Sequence, residues 1–350
     1  MPDTFQVRIT AINRLTAHAA EFVFSPENFS ISPYLPGQFL TLIFSLDGHE
    51  VRRSFSLNSV YREDQEHLSI TVKRVENGLV SRHMLDHLQT GDLLRVLPPS
   101  GRFTLPENVH RKRLVYFAAG SGIVPVYAHL RYLATLEDPP QTDLFYSNTS
   151  ERSTLYSAEL FSLAKTEGRP WLHIHSLFSQ PEAAHERPRR INNTFVETEL
   201  SHILEQAPAP QVLIYLCGPY AYMRMIRMTL LFMGLETEQI RMENFVVETA
   251  KPAKQQYHFE RQTVQLIFQG EKYSLDVEPA QNILDAALKA GIALPYSCKG
   301  GICSACAAKC TRGRVEMTIN EVLSPDDLRK GEILTCTGHP LTADVLIEFP

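Results

Sequence analysis

Residues 295–310 read PYSCKGGICSACAAKC, and one further cysteine stands alone at position 336. Four cysteines form a pattern: Cys298, four residues to Cys303, two residues to Cys306, and then 29 residues to Cys336. Three thiolates in one loop with an isolated fourth is the ligand spacing of a plant-type [2Fe–2S] cluster. The pattern therefore predicts a small iron–sulfur domain at this end of the chain.

A zinc site is the competing interpretation, because four thiolates also bind zinc. Structural zinc sites favour two short cysteine pairs, whereas three ligands lie together here, so the spacing favours iron–sulfur. We expect Gly300 and Gly301 to let the backbone approach the cluster and to adopt positive φ where needed. Cys310 falls outside the pattern; we interpret it as a small buried thiol on the strand leaving the loop, and its role stays open.

The composition describes an ordinary globular protein. The chain has 350 residues, 44% of them hydrophobic, and a net charge of −5. That length suggests two or three domains at about 150 residues each, and the lack of basic excess argues against nucleic acid as a partner. Five of six cysteines lie between Cys298 and Cys336, which favours a cluster over disulfides in a reducing compartment.

Hydropathy predicts no membrane insertion, because no apolar run reaches the ~18 residues that a bilayer requires. The start, MPDTFQVRIT, has a proline and an acidic residue where a secretory signal would carry basic residues and an apolar stretch. We therefore expect a cytoplasmic protein.

Periodicity divides the chain into three domains. Residues 1–106 carry short strand-like runs separated by turns such as Asp47-Gly48, with one short helix, and predict an antiparallel β-barrel. Residues 107–249 alternate between strand and helix patterns, which predicts a parallel sheet with helices on both faces. Residues 250–257, AKPAKQQY, resemble a linker, and residues 258–350 hold the cysteine domain.

Within the middle domain the pattern predicts four strands and three helices. The predicted strands are 113–119, 143–147, 171–177 and 211–217, and the predicted helices are 126–136, 158–165 and 222–233.

Two motifs in the barrel region are typical of flavin binding. In RSFS, Arg53 offers forked donors to a phosphate, the Phe55 ring can cover the isoalloxazine or ribityl chain, and Ser56 can hydrogen-bond flavin N5. Gly78 and Ser81 open the helix of this region, where free N–H groups suit a pyrophosphate. Each motif alone also fits an ordinary strand or helix cap, so the prediction rests on their order upstream of the nucleotide and cluster regions.

A glycine turn follows the strand LVYFAA. Gly120 and Gly122 connect this strand to a helix, and Pro125 suits the first helical turn. Strand, glycine turn and helix together form the geometry that holds a pyrophosphate on exposed N–H groups, although a simple tight turn has the same sequence.

A second element in this domain supports nicotinamide binding. Cys217, Gly218 and Pro219 end a later strand, and ligands bind at the carboxyl ends of such strands. Cys217 is therefore expected against the nicotinamide, with a buried strand-end thiol as the alternative. The residues that decide between NADH and NADPH are expected after the second strand of this domain. Arg152 lies there and is equally suited to bind a 2′-phosphate or to face solvent.

With these three signatures in this order, the chain resembles the ferredoxin–NADP⁺ reductase superfamily with a plant-type ferredoxin fused at the C-terminus. The resemblance implies a six-stranded antiparallel FAD-binding barrel, a Rossmann-like NAD(P)-binding parallel sheet and a β-grasp [2Fe–2S] domain. Within the superfamily, the chain is most similar to reductase subunits of phenylacetyl-CoA epoxidases, and it also resembles reductases of 3-ketosteroid 9α-hydroxylases.

The resemblance implies roles for individual residues. Ser56 and Cys217 would serve as catalytic residues, and four cysteines would ligate the cluster. Two departures from the superfamily stand out: Phe55 replaces a common tyrosine, and Val124 replaces a common threonine. The implied cofactor-binding residues are Arg53, Phe55, Ser56, Gly78, Ser81, Gly120, Gly122, Pro125, Cys217, Gly218, Pro219, Glu243 and Phe245, and the implied metal ligands are Cys298, Cys303, Cys306 and Cys336.

The function implied by the resemblance is electron transfer. NAD(P)H would supply electrons to FAD, which would pass them through the cluster to a partner oxygenase, expected to be a di-iron epoxidase of the phenylacetyl-CoA type. The alternatives are a reductase for another oxygenase, such as a 3-ketosteroid 9α-hydroxylase, or a flavin and iron–sulfur redox sensor.

Overall fold

The computed structural model describes residues 4–27, 29–64, 66–165, 170–182, 187–245 and 259–349. Packing divides the chain into two compact units, one of Phe5–Val51 with Phe55–Glu243 and one formed chiefly by Asn244–Pro350. The predicted linker at 250–257 lies outside the described residues. No helix in the described ranges has the length and apolar character needed to cross a membrane.

The first unit begins with a six-stranded antiparallel sheet in the order β4-β3-β6-β1-β2-β5. A bridge between Leu57 and Ile70 joins the end of β4 to β5 and closes the barrel. Side chains such as Phe22 and Phe24 enter its core at every second position, as the alternating pattern predicts. The elements are β1 (Phe5–Thr16), β2 (Ala19–Glu27), β3 (Phe39–Leu46), β4 (His49–Ser56), β5 (Leu68–Lys73), α1 (Leu79–His87) and β6 (Leu93–Val96).

The hairpin between β3 and β4 turns through Asp47 and Gly48, which both have positive φ, 51° and 75°. Two central residues with positive φ match the twist of the flanking strands, so an Asp-Gly pair suits this connection. The turn predicted at this position is confirmed, and it sets the pairing of the strand that carries Arg53, Phe55 and Ser56.

The same unit continues with a five-stranded parallel sheet in the order β11-β10-β7-β8-β9. Helices cover both faces, because α2 and α3 contribute to one apolar cluster and α4 and α5 to the other. The predicted fold class is confirmed. The elements are β7 (Arg113–Ala119), α2 (Ile123–Leu133), β8 (Thr142–Asn148), α3 (Ser157–Ala164), β9 (Leu172–Phe178), α4 (Asn193–Gln206), β10 (Val212–Cys217), α5 (Tyr220–Phe232) and β11 (Ile240–Glu243).

Two helices of this domain differ from the sequence prediction. Helix α2 is Ile123–Leu133 rather than the predicted 126–136, and Pro125 lies in its first turn, as expected. Helix α4 has no counterpart in the sequence prediction, although Asn192 caps its N-terminus by accepting from the Phe195 N–H at 2.8 Å and Val196, Leu200 and Ile203 lie buried along one face.

The second unit holds a five-stranded sheet in the order β13-β12-β18-β14-β16, with a two-stranded β15-β17 ladder beside it. Helix α6 buries Ile283, Leu284 and Ala287 and ends before Gly291, whose φ of +80° marks the predicted helix stop. The elements are β12 (Gln262–Phe268), β13 (Glu271–Val277), α6 (Ile283–Lys289), β14 (Ala307–Arg312), β15 (Val315–Met317), α7 (Pro325–Arg329), β16 (Glu332–Leu334), β17 (Gly338–Pro340) and β18 (Leu346–Glu348).

His129 on α2 connects the parallel sheet to the barrel within the first unit. Its Nε2 lies 2.9 Å from the carbonyl oxygen of Phe103 and 3.2 Å from that of Pro36, and its Nδ1 lies 3.2 Å from the Tyr116 hydroxyl. Nε2 therefore carries the proton and Nδ1 accepts from the tyrosine. Complete burial lowers the pKa of His129 to about 4, so the imidazole is neutral at physiological pH and acts as a fixed connector.

Gly37 lies against this connector. Its φ is +88°, and a Cβ at this position would lie 1.8 Å from the Phe103 oxygen and 2.4 Å from His129 Nε2. Gly48 provides a matched comparison, because its φ is +75° but a Cβ there would contact nothing within 4 Å.

We expect Gly37→Ala to destabilise the first unit far more than Gly48→Ala. Both substitutions incur the cost of positive φ, about 1–2 kcal/mol, but only Gly37→Ala also displaces the carbonyl and imidazole of the connector. Thermal unfolding followed by circular dichroism should place the Gly37→Ala midpoint at least about 5 °C below that of Gly48→Ala. Equal midpoints would show that the Phe103 carbonyl and the His129 imidazole can move aside without lowering the stability.

Candidate functional site

The candidate site begins at the carboxyl edge of the parallel sheet, in the turn between β7 and α2. Gly120 adopts a φ of +56° there, which glycine accommodates readily. A Cβ on Gly122 would lie 2.0 Å from the Cys217 carbonyl oxygen, so only glycine fits against the end of β10. Pro125 is buried in the first turn of α2. The glycine turn thus places backbone N–H groups at the edge where nucleotides bind.

The end of β10 faces this turn. Cys217 is its last residue and is fully buried, and burial, with the nearby Glu243 carboxylate, raises the pKa of its thiol well above the usual value. A Cβ on Gly218 would meet the Ala119 side chain at 2.9 Å, and Pro219 caps the start of α5. The structure therefore brings the two glycine-containing turns of the sequence prediction into direct contact.

Glu243 ends the neighbouring strand β11 and lies level with Cys217 in the parallel pairing. The Ser56 hydroxyl, at the end of barrel strand β4, donates to Glu243 Oε2 at 3.2 Å. Desolvation raises the pKa of Glu243 to about 8, and the hydrogen bond from Ser56 opposes part of this shift. Ser56, Cys217 and Glu243, predicted from three distant segments, therefore meet at one point.

Other predicted flavin residues occupy the same strand or follow β11. Phe55 is half-buried against the barrel core, whereas Arg53 is exposed and its Nη1 donates to the Arg52 carbonyl oxygen at 2.7 Å. Phe245 follows β11 and remains 43% exposed. The Arg53 guanidinium and the Phe245 ring are therefore both exposed.

The start of α1 forms a compact turn at the predicted pyrophosphate position. Gly78 is the N-cap and provides no side-chain cap, and a Cβ there would lie 2.5 Å from Ser81 Oγ and 2.8 Å from the Val75 side chain. Ser81 Oγ accepts from the Val75 N–H at 3.2 Å. The uncapped first-turn N–H groups of α1 suit an anionic group, so this segment fits a flavin pyrophosphate.

Lys73 is a site residue that the sequence analysis missed. It ends β5, and its Nζ lies 3.3 Å from where a Cβ of Gly120 would be. Burial lowers its pKa, so the side chain gains from an anionic neighbour. The available signal was a basic residue five positions before Gly78, in VKRVENG.

Polar groups at the end of β8 fit a bound nucleotide. Among the described residues, the Ser147 hydroxyl and both polar atoms of the Asn148 side chain are buried and make no hydrogen bond of good geometry, and their polar neighbours are the hydroxyls of Tyr222 and Tyr146. Buried polar groups are normally paired, so these atoms indicate a ligand or water position. Next to them, the Tyr146 hydroxyl donates to the Gly120 carbonyl oxygen at 3.3 Å and ties the glycine turn to this strand end. The residues present therefore fit NAD(P).

The four cysteines of the predicted cluster converge in the second unit. The Cys298 side chain lies within hydrogen-bonding reach of Cys303 and Cys336, and Cys306 lies within reach of Cys336. Backbone N–H groups also point at the sulfurs: Cys298 N–H donates to Cys303 Sγ at 3.4 Å, and Gly300 N–H donates to Cys298 Sγ at 3.3 Å. Such donors stabilise the negative charge of a thiolate-bound cluster.

The backbone of the cluster loop partly differs from the expectation for its glycines. Gly301 has a φ of +75° and a Cβ there would lie 2.7 Å from the Ile319 carbonyl oxygen, as expected for a close approach. Gly300 does not adopt positive φ; Lys299 and Ser304 do instead, at 52° and 54°. Two tight turns, one on each side of Cys303, carry the loop, so residues other than glycine take the left-handed conformation.

The thiol arrangement fits a dinuclear cluster. A [2Fe–2S] cluster needs only two thiolates per iron, because bridging sulfides complete the coordination. Cys310 lies apart on β14, where its thiol donates to the Arg312 carbonyl oxygen at 3.2 Å.

Three family models match the chain in the order that the fold shows. The oxidoreductase FAD-binding domain matches residues 6–105, the oxidoreductase NAD-binding domain matches residues 117–228, and the 2Fe-2S iron-sulfur cluster binding domain matches residues 266–341.

Two relatives are similar over nearly their whole length. One is a subunit of the 1,2-phenylacetyl-CoA epoxidase of Escherichia coli (strain K12), which is 32% identical over 90% of this chain and 88% of its own. The other is the ferredoxin reductase component of the 3-ketosteroid-9-alpha-monooxygenase of Rhodococcus rhodochrous, which is 32% identical over 97% of this chain and 95% of its own.

A solved structure of phthalate dioxygenase reductase shares the fold, with a TM-score of 0.60 over 99% of this chain and 98% of that chain at 22% identity. The domain order, the relatives and the fold agree with the resemblance inferred from the motifs. The chain belongs to the family of oxygenase reductase components that combine an FAD-binding barrel, an NAD-binding domain and a plant-type [2Fe–2S] ferredoxin domain.

Proposed function

We propose that this chain takes electrons from NAD(P)H and delivers them to a partner oxygenase. When bound, FAD and the [2Fe–2S] cluster supply the redox chemistry, which converts the electron pair of one hydride into two single-electron deliveries. The protein residues bind and orient the nucleotide, exclude water and hold a proton. We call the point where Ser56, Cys217 and Glu243 meet the reacting edge.

One observation carries this proposal: the Ser56 hydroxyl of the barrel donates to Glu243 of the nucleotide domain at 3.2 Å. This bond brings a predicted flavin residue to the carboxyl edge of the parallel sheet, beside Cys217 and the glycine turn of Gly122. Hydride transfer requires nicotinamide and flavin to lie in contact and in a fixed orientation. A point where barrel strand and nucleotide edge meet supports that arrangement.

The residue roles follow from this geometry. We assign Ser56 and Cys217 to the reacting edge and Glu243 to the position where the carboxyl group holds a proton at neutral pH. The proposed domains are 1–106, 107–249 and 258–350, joined through 250–257. The proposed FAD contacts are Arg53, Phe55, Ser56, Gly78, Ser81, Glu243 and Phe245, the proposed NAD(P) contacts are Gly120, Gly122, Pro125, Cys217, Gly218 and Pro219, and the proposed cluster ligands are Cys298, Cys303, Cys306 and Cys336.

The cluster ligands differ in exposure. Cys306 and Cys336 are buried, whereas Cys298 and Cys303 are partly exposed. Electron transfer to another protein needs a short path, so we assign the surface beside Cys298 and Cys303 to the acceptor.

The oxygenase that we propose as acceptor is a di-iron epoxidase of the phenylacetyl-CoA type. The similarity to a subunit of the Escherichia coli epoxidase, over most of both chains, supports this choice. A 3-ketosteroid oxygenase is the second candidate, because the relative named for that system is equally identical over a larger share of the chain. Reconstitution of the holoprotein with each purified oxygenase, followed by substrate oxidation, distinguishes the two.

We expect Cys303→Ser to remove the cluster absorbance and most of the protein-bound iron. NAD(P)H-dependent ferricyanide reduction should survive within about 3-fold, because the flavin precedes the cluster and no ligand of the flavin site changes. Cys310→Ser is the matched control, since this thiol lies outside the four and should leave iron content unchanged. Loss of iron in Cys310→Ser but not in Cys303→Ser would contradict the ligand assignment.

We expect Ser56→Ala to slow flavin reduction by NAD(P)H about 10–100-fold without lowering FAD content. The substitution removes the positioned hydroxyl at the reacting edge, and we place the loss at or below the lower end of the about 100–1,000-fold that removing an oxyanion-hole donor costs. Stopped-flow absorbance measures the rate, and Ser56→Thr, which retains a hydroxyl, should recover much of it. An unchanged rate in Ser56→Ala would remove Ser56 from the catalytic set.

We expect Glu243→Gln to flatten the pH dependence of stability between about 5 and 9. The pKa of Glu243 is about 8 in the folded chain against an ordinary value of 4.5, so between these values the folded state retains a proton that the unfolded state has released. That stability is complete below the ordinary pKa and is lost as the pH rises through the folded pKa. Relative to Glu243→Gln, the melting temperature of the wild type should therefore fall by about 3 °C or more from pH 5 to pH 9. A constant difference would contradict the raised pKa.

A further inference from the structure

The segment after β8 lies where nucleotide-binding sheets distinguish NADH from NADPH. An acidic residue there suits the ribose 2′-hydroxyl, whereas an available arginine suits a 2′-phosphate. In this chain the segment forms a short turn, Glu151–Ser153, closed by a capping box from Ser150. Asn148, whose side-chain polar atoms are buried beside the Tyr146 hydroxyl, ends β8 and begins the segment.

Arg152 is held by a neighbouring carboxylate. Its Nε donates to Glu182 Oε2 at 2.8 Å, and its backbone N–H donates to Glu182 Oε1 at 3.3 Å. In return, the Glu182 backbone N–H donates to Glu151 Oε2 at 2.9 Å. Both Glu182 oxygens are thus engaged with Arg152, and the two segments hold each other in register.

Backbone hydrogen bonds keep this arrangement at the sheet edge. Ser179 N–H donates to the Asn148 carbonyl oxygen at 3.0 Å, and Gln180 N–H donates to the Thr149 carbonyl oxygen at 2.8 Å. The segment that carries Glu182 therefore continues directly alongside the turn that carries Arg152. Glu182 is positioned by main-chain geometry rather than by its ion pair alone.

The charges in contact with Arg152 are unfavourable for a 2′-phosphate, and the nearest further cation in the chain trace is Arg189, on the exposed segment bonded to the end of β9. Glu151 and Glu182 supply two negative charges against the single positive charge of Arg152, whereas a phosphate monoester brings a further charge of about −1.5 to −2. A ribose with two free hydroxyl groups instead offers donors to these carboxylates. To bind the phosphate, Arg152 would first have to leave Glu182.

We propose that Glu182 makes this chain NADH-dependent by holding Arg152 and by keeping negative charge where a 2′-phosphate would bind. The inference rests on the proposed function, because it concerns the nucleotide of that same site. Glu182 is a specificity-determining residue in this view and takes no part in hydride transfer.

The test compares two probes that differ only in the 2′-phosphate, adenosine 5′-monophosphate and adenosine 2′,5′-bisphosphate, by calorimetry on the holoprotein. Kinetics with NADH and NADPH accompany the binding measurements. The wild type should bind the monophosphate more tightly and use NADH at least about 10-fold more efficiently. Glu182→Gln should tighten bisphosphate binding and raise NADPH efficiency, each about 10-fold, because Arg152 is released.

Two further variants test whether the released Arg152 causes the gain in bisphosphate binding and NADPH efficiency. Arg152→Gln added to Glu182→Gln should remove it, since the freed guanidinium is its source. Glu205→Gln on α4 removes an equally charged, exposed carboxylate from the same domain and should leave both the binding ratio and the kinetic ratio unchanged.

Several outcomes would overturn the inference. The first is a wild type that prefers NADPH or the bisphosphate. The second is a Glu182→Gln variant whose binding and kinetic ratios are unchanged. The third is a gain in bisphosphate binding that survives the added Arg152→Gln substitution and disappears with Arg189→Gln. The last would move phosphate recognition to Arg189, whose backbone N–H donates to the Phe178 carbonyl oxygen at 2.7 Å at the end of β9. If neither nucleotide reduces the flavin, the proposed function fails, while the calorimetric ratios still decide the specificity claim.

Discussion

The candidate site depends on how closely two backbone segments approach at the carboxyl edge of the parallel sheet. Gly122 lies so near the end of β10 that a single added carbon would stand 2.0 Å from the Cys217 carbonyl oxygen. The pairing register sets Ala118, Cys217 and Glu243 level on three adjacent strands. Because of this approach, the glycine turn, the buried thiol and the carboxyl group face one small region. The hydroxyl of Ser56 enters that region from the barrel.

Desolvation dominates the electrostatics of that region. The carboxyl of Glu243 is forced toward its protonated form, and the Cys217 thiol is kept from ionising. Neutral groups at this point avoid electrostatic repulsion of an electron-rich flavin. The charged groups lie further out: Lys73 faces the glycine turn, and Arg152 is paired with Glu182.

The sequence was most informative where chemistry is encoded in local spacing. Four cysteines at fixed intervals predict a cluster loop, and strand, glycine turn and helix predict the nucleotide edge. The switch between strand-like and helix-like hydrophobic patterns predicted the ends of most of the parallel strands to within one residue. Helix α4 escaped because its buried positions, Val196, Leu200 and Ile203, are diluted by polar neighbours. The roles of Lys73 and Glu182 escaped because each depends on a partner far away in sequence, Gly120 for one and Arg152 for the other.

The two-residue hairpin at Asp47 and Gly48 has a wider consequence for the flavin-binding strand. Side chains on a strand alternate between faces, so sliding β4 by one position against β3 would exchange the locations of Phe55 and Ser56. The ring would then point toward Glu243, and the hydroxyl would point away from it. A tight loop remote from the chemistry thereby decides whether a polar or an aromatic group is presented at the reacting edge. Lengthening that loop by a single residue is a route to a barrel that folds yet carries the Ser56 hydroxyl on the opposite face.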